Sequence, residues 1–170
     1  MAVYTIGHST RPIDDFINLL KLNKINMLVD VRSVAHSRFN PQYNKDELRE
    51  SLEENNIRYV HLSGLGGFRE PIANSVNTGW RNKRFRGYAD YMQTKDFSKS
   101  LASLIALIST NTVAMMCSEA VPWRCHRSLI ADALTIRKIA VYDIYNDHTI
   151  KQHTLTEFAH VKNKKITYPP

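Results

Sequence analysis

Short apolar runs alternate with amphipathic stretches along the chain. Residues 3–7, VYTIG, are β-prone and stop at a glycine, after which Ser9 or Thr10 stands ready to cap a helix with Pro12 in its first turn. That helix, PIDDFINLLKLNK, carries Ile13, Phe16, Ile17 and Leu20 at helical spacing. The next run, INMLVDV (25–31), is apolar almost throughout, as a parallel strand covered on both faces must be. An irregular stretch, SVAHSRFNPQY, leads to a polar helix, NKDELRESLEENN, whose Leu48 and Leu52 face inward. A third strand, IRYVHLS, runs into GLGG. Residues 68–86 show no period, and a loop that long inside a small domain is functional or mobile. A helix over roughly 88–109 follows, then a strand NTVAMMC, a helix CHRSLIADALTIRK and a strand AVYDIYN. The closing HTIKQHTLTEFAHVKN is read as a short edge strand and a short helix, with a tail from about 162 to 170 expected to fray.

Strands that alternate with helices predict a three-layer α/β/α domain spanning 1–170, around a mostly parallel Rossmann-like or flavodoxin-like sheet of about five strands. Ligands of such sheets bind outside the carboxyl ends of the strands, so the polar residues there become the candidate site. Those ends are Gly7-His8-Ser9, Asp30 with Arg32, Leu65-Gly66-Gly67, and Cys117-Ser118-Glu119.

Charge sharpens the ligand class without naming it. The chain carries +7 at neutral pH, with Arg81, Lys83, Arg84 and Arg86 clustered in WRNKRFRGY and further lysines in the tail. Such an excess attracts phosphates, nucleic acid or other anions, although a solvated loop and a frayed tail explain it equally. Two cysteines are too few for a disulfide framework, no apolar run approaches a membrane span, and the N-terminus reads as a strand rather than a signal peptide. A cytoplasmic protein with reduced thiols is expected.

The densest chemistry lies in CSEAVPWRCHR (117–127). Cys117, at a strand end just before a helix, would sit near unpaired helix N–H groups that favour a thiolate or bind an anion, and Arg124 and Arg127 add to that field. It is a candidate nucleophile; a small buried hydrophobe and a metal ligand are the competing roles. The stretch matches a phosphatase loop poorly. The gap from Cys117 to Arg124 is one residue longer than that pattern, and Glu119 and Pro122 stand where small residues would let backbone N–H groups converge. Glu119 suits a general acid/base, or a salt bridge to Arg32 or Arg127. His126 caps its helix or is buried, or else faces the site, and His8 with Asp30 forms a histidine–carboxylate pair or a packed polar contact. Seven residues separate the cysteines, which is not a usual zinc spacing, and neither GxGxxG nor a P-loop is present. No metal is therefore assigned, and the cofactor is left open.

Taken in order, TIGHS, DVRS, SRFNPQYN, YVHLSGLGG and CSEAVPWRCHR resemble the domain-of-unknown-function 488 family of small bacterial and archaeal proteins. The likeness runs from residue 4 to about residue 147. It implies a single α/β domain with a site made of His8, Asp30, Arg32, Phe39, Tyr43, Gly66, Gly67, Cys117, Glu119, Cys125, His126 and Arg127. The family carries no settled activity. Two readings follow. One is an enzyme, a cysteine-dependent hydrolase or transferase, acting on an anionic or nucleotide-like substrate. There Arg32 and Arg127 would clamp the anion, and Tyr43, Phe39 and Trp123 could stack on a base. The other is a nucleic-acid-binding or accessory module in which the basic loop tracks phosphates and the cysteines are structural.

Overall fold

The computed structural model describes residues Met1–Pro170. Five parallel strands and one antiparallel edge strand form the central sheet in the order β3-β2-β4-β1-β5-β6, with β1 Ala2–Gly7, β2 Met27–Asp30, β3 Arg58–His61, β4 Val113–Cys117, β5 Ala140–Ile144 and β6 Ile150–Gln152. Helices α1 Ile13–Leu22 and α2 Lys45–Glu53 cover one face; α3 Lys83–Tyr91, α4 Lys95–Thr110 and α5 Arg127–Thr135 cover the other. This is the three-layer α/β architecture that the alternating pattern predicts. Its strand order differs from the 3-2-1-4-5-6 of a dinucleotide-binding sheet in that β1 and β4 have changed places.

Two apolar clusters hold the layers together. On one side Phe16, Leu20, Leu48 and Leu52 pack on Ile6, Leu28, Ala114 and Met116; on the other Leu101, Leu104, Leu129 and Ile130 pack on Val29, Val113, Met115 and Val141. Alternate residues of β4 therefore serve opposite cores. This is why VAMMC is buried at every position and shows no polar alternation.

Several local expectations are corrected. Neither Ser9 nor Thr10 caps α1: Pro12 occupies the cap position without a side-chain bond, and Ser9 takes a left-handed φ of 47° where the chain turns off β1. The single helix over 88–109 is two helices, because Asn82 caps α3 by accepting from Arg84 N and Phe85 N, and Thr94 caps α4 by accepting from Phe97 N. The basic cluster accordingly begins a helix instead of lying in a loop. The closing segment contains no helix. After β6 comes a hairpin, β7 His160–Lys162 and β8 Lys165–Thr167, turned by Asn163 and Lys164 at positive φ.

The tail is anchored through Tyr168. Tyr168 is fully buried, its N–H donates to Asn77 Oδ1 (2.8 Å) and its hydroxyl to Asp132 Oδ2 (2.8 Å). Asn77 and Ser75 in turn donate to Asp90, so the aperiodic segment 68–82 is pinned from within by buried polar groups that no hydrophobic period reports. No helix is long and apolar enough to cross a membrane.

Candidate functional site

Neighbouring strands that send their chains to opposite faces must part at their carboxyl ends. β4 leads to α5 on one face, while β1 and β2, flanking it, lead to α1 and α2 on the other. A cavity of about 600 Å³ opens at this switch point, between the segments that follow β1, β2 and β4, with the Gly67-Phe68 turn and the start of α3 as its far wall. Arg32, Arg38, Arg84 and Arg124 line it against a single carboxylate, Glu119. The opening is strongly positive.

Cys117, 2% exposed, lies at the floor. The β1–β4 ladder continues past both strands, His8 N donating to Cys117 O and Ser9 N to Ser118 O, each at 2.9 Å. The chain then folds back over Gly7, where a Cβ would lie 1.6 Å from the Glu119 carbonyl oxygen. Only glycine permits that approach.

Beneath this turn runs the side chain of Arg127, 1% exposed. Its Nη1 donates to Cys117 Sγ (2.6 Å) and Glu119 O (2.6 Å), its Nη2 to Ala120 O (3.2 Å) and its Nε to Thr5 Oγ1 (3.3 Å). Thr5 passes the polarity on by donating to buried Asp143. Burial opposes the Arg127 charge, but Cys117, Cys125 and Asp143 outweigh it and raise the Arg127 pKa. Reciprocally, burial would raise the Cys117 thiol, yet a hydrogen bond from Cys125 and the charge and hydrogen bond of Arg127 lower it from 9.0 to about 7. The helix-terminal N–H expected to face Cys117 instead meets the other sulfur: Arg127 N donates to Cys125 Sγ at 3.4 Å. Buried, and with all three of its side-chain nitrogens bonded inside, Arg127 is no clamp for a ligand.

Arg32 is likewise built in, but not completely. Asp30, fully buried, accepts Arg32 Nε (2.9 Å), Arg32 Nη2 (2.7 Å) and the Tyr59 hydroxyl (2.6 Å). Arg32 Nη2 also donates to Tyr43 O. Its Nη1 is left facing the cavity beside His8 Nε2, 3.5 Å away. The His8–Asp30 pair does not form, because Asp30 is saturated by Arg32 and Tyr59. His8 donates from Nδ1 to Ser9 O (2.8 Å), which leaves Nε2 as an acceptor, and burial together with Arg32 lowers its pKa to about 4. Asp30 thus positions Arg32 and does not line the cavity.

His126 is fixed in the same way. Its Nε2 donates to Val31 O (2.8 Å), its Nδ1 faces Cys125 Sγ (3.5 Å), and burial lowers its pKa to about 4. It neither caps α5 through its side chain nor carries charge at neutral pH. The two glycines are the reason the wall closes so tightly: a Cβ on Gly66 would meet Ser33 Cα at 2.5 Å, and one on Gly67 the His126 ring at 2.6 Å.

The aromatic residues are redistributed. Tyr43 is fully buried, stacked on His8 at 4.2 Å between ring centres, with its hydroxyl on Arg11 O, so it supports the histidine and cannot meet a base. Phe39, 82% exposed under the Arg38 guanidinium, and Trp123, 62% exposed beside Tyr145, stay outside the lining. Phe68 and Phe85 enter it instead. Glu119 lines the cavity with an exposed side chain that makes neither of the salt bridges expected for it. No group of three or more His, Cys, Asp and Glu side chains gathers in a way that could hold a metal ion. Sequence reasoning missed Ser33, Arg38, Arg84, Phe68 and Phe85. Arg38 stood inside SRFNPQYN and Arg84 inside the basic cluster, which were the available signals.

Residues 12–134 match the family described as Domain of unknown function DUF488. No curated protein and no solved structure matches the chain.

Proposed function

For a chain that belongs to the Domain of unknown function DUF488 family, whose description assigns no reaction, we propose a cysteine-dependent hydrolase or transferase of an anionic, nucleotide-like small molecule. One observation carries this reading: Cys117 Sγ, with a buried guanidinium 2.6 Å behind it, forms the floor of a cavity lined by four other arginines. A structural cysteine needs no buried cation, and a merely basic surface needs no thiol at its centre.

In this reading Arg38, Arg84 and Arg124 draw the anion in, and Arg32 Nη1 orients it. The Cys117 thiolate attacks the electrophilic centre; a bond to sulfur forms as the leaving group departs with its electron pair, its charge met by the arginines. Water, or an acceptor hydroxyl, then attacks the adduct while Glu119 takes its proton, the sulfur bond breaks, and the thiolate returns. The neutral His8 Nε2 accepts a hydrogen bond from a substrate hydroxyl or amine. Two free thiols suit a reducing compartment such as the cytoplasm.

Iodoacetamide labelling followed by mass spectrometry tests this. Cys117 is expected to alkylate with a midpoint near pH 7, and pyrophosphate at low salt to slow the reaction in the native protein but not in an Arg38→Ala/Arg84→Ala variant. A folded protein whose Cys117 stays unlabelled at pH 8, or labels with no response to any anion, would overturn the reading. The nucleic-acid module retains one supporting feature, the exposed Phe39 under the Arg38 guanidinium and the exposed Phe68 in the arginine-lined wall. Oligonucleotide binding with a steep salt dependence, unchanged in Cys117→Ser and Glu119→Gln, would favour it.

A further inference from the structure

We propose that Cys117 and Cys125 are a peroxide-reactive pair, in which Cys117 is oxidised first and Cys125 then closes a reversible disulfide. The proposal shares the Cys117 thiolate with the reaction above but needs no substrate of that reaction.

The chain has two cysteines among 170 residues, and both are free and line the same cavity. One residue, Arg127, holds both sulfurs, Cys117 through Nη1 and Cys125 through its backbone N–H. Both sulfurs thus face the same arginine at the floor of one cavity. If the two were apolar filler, this polar wiring would have no purpose. Arg127 instead distinguishes them, giving one sulfur a guanidinium and the other a single amide. The exposure of each is small, 2% and 5%, so large oxidants are excluded while a hydroperoxide fits through the cavity.

The chemistry balances in two steps. The Cys117 thiolate attacks the terminal oxygen of a hydroperoxide; an S–O bond forms, the O–O bond breaks, and the departing alkoxide or hydroxide takes a proton from water. Cys117 is now a sulfenic acid and the peroxide has been reduced by two electrons. Cys125 sulfur then attacks Cys117 sulfur; the S–S bond forms, the S–O bond breaks, and the hydroxyl leaves as water with the Cys125 proton. The first step prepares the second. Burial and the neighbouring Cys117 thiolate keep the Cys125 thiol protonated, and conversion of that thiolate to a neutral acid removes the latter while Arg127 remains to favour a Cys125 thiolate. His126 Nδ1, 3.5 Å from Cys125 Sγ, stands as a hydrogen-bond acceptor for the same proton.

The test treats the full chain with one equivalent of hydrogen peroxide near neutral pH, followed by non-reducing peptide mapping. Both free thiols are expected to disappear together into one cross-linked peptide pair, and dithiothreitol to restore them fully. In Cys125→Ser, Cys117 should persist as a sulfenic acid trapped by dimedone. Two free thiols after excess peroxide, or sulfinic acid at Cys117 forming as readily in the native protein as in Cys125→Ser, would overturn the proposal. If Cys125→Ser fails to fold, the native peptide map decides alone. A disulfide that forms in a protein showing no anion protection would leave this inference standing and remove the hydrolase or transferase reading.

Discussion

The guanidinium of Arg127 donates to the sulfur of Cys117 at 2.6 Å while only 1% of the arginine is exposed. A cation that deep normally pairs with a carboxylate, and here a thiol, two carbonyls and a threonine share it. Replacing Arg127 with Met should raise the midpoint of Cys117 alkylation above 7, since burial would then be opposed only by Cys125 and the Glu119 backbone. Removing one partner of a buried charged contact also costs about 3–5 kcal/mol of stability. The pH profile of alkylation, read with urea unfolding, checks both, and an unshifted midpoint would refute the role given to Arg127.

Asp30 and Arg32 should behave as one unit. Asp30→Asn leaves a guanidinium 6% exposed without its counter-charge and is expected to lose ~3–5 kcal/mol. Asp30→Leu with Arg32→Leu should lose much less than the sum of the single changes, because no buried charge is stranded. Chemical denaturation of the four proteins measures the coupling; additive losses would mean that the pair is not the unit described.

Acid should weaken the fold as the pH falls below 6.5. His8 and His126 have pKa values lowered from 6.5 to about 4, so between these limits the unfolded chain binds the more protons. Stability is then complete above pH 6.5 and falls as pH drops towards 4, by about 1.4 kcal/mol per pH unit for each histidine. Urea midpoints across this window test the slope, which should roughly halve in His8→Asn. A flat profile would show that neither ring is held neutral.

The tail should act as a clasp for the wall of the cavity. Tyr168 bonds Asn77 and Asp132 and packs its ring on Trp80 and Phe158. Tyr168→Ala is therefore expected to cost ~3–5 kcal/mol, by analogy with other large buried aromatic residues. Hydrogen exchange should accelerate in residues 72–80 and at the start of α3, which carries Arg84, and hardly change in α1 and α2. Equal acceleration everywhere would mean that the clasp is not local.

Layer architecture was legible because hydrophobic period is a local property. The uniform burial of VAMMC, the 3.6-residue spacing in α1 and the glycine-terminated strands each state their own environment, and strand–helix alternation permits few packings. The neighbourhood of the candidate site was legible for the same reason, since the carboxyl ends of parallel strands all lie along one edge of the sheet. What each side chain does there was not. Arg127 and Arg32 read alike in sequence, as cations beside a site, yet one is spent on a sulfur and carbonyls and the other keeps one nitrogen facing the cavity. Tyr43 and Phe39 read alike as stacking candidates, yet one is sealed and the other exposed. Arg84 came to the lining only because Asn82 starts α3 there, and β4 lies between β1 and β2 by crossovers that no local pattern encodes. A long polar side chain goes to whichever buried acceptors surround it, and distant segments supply those acceptors. Periodicity therefore determined the layers and the location of the candidate site, and only tertiary packing decided which groups face its cavity.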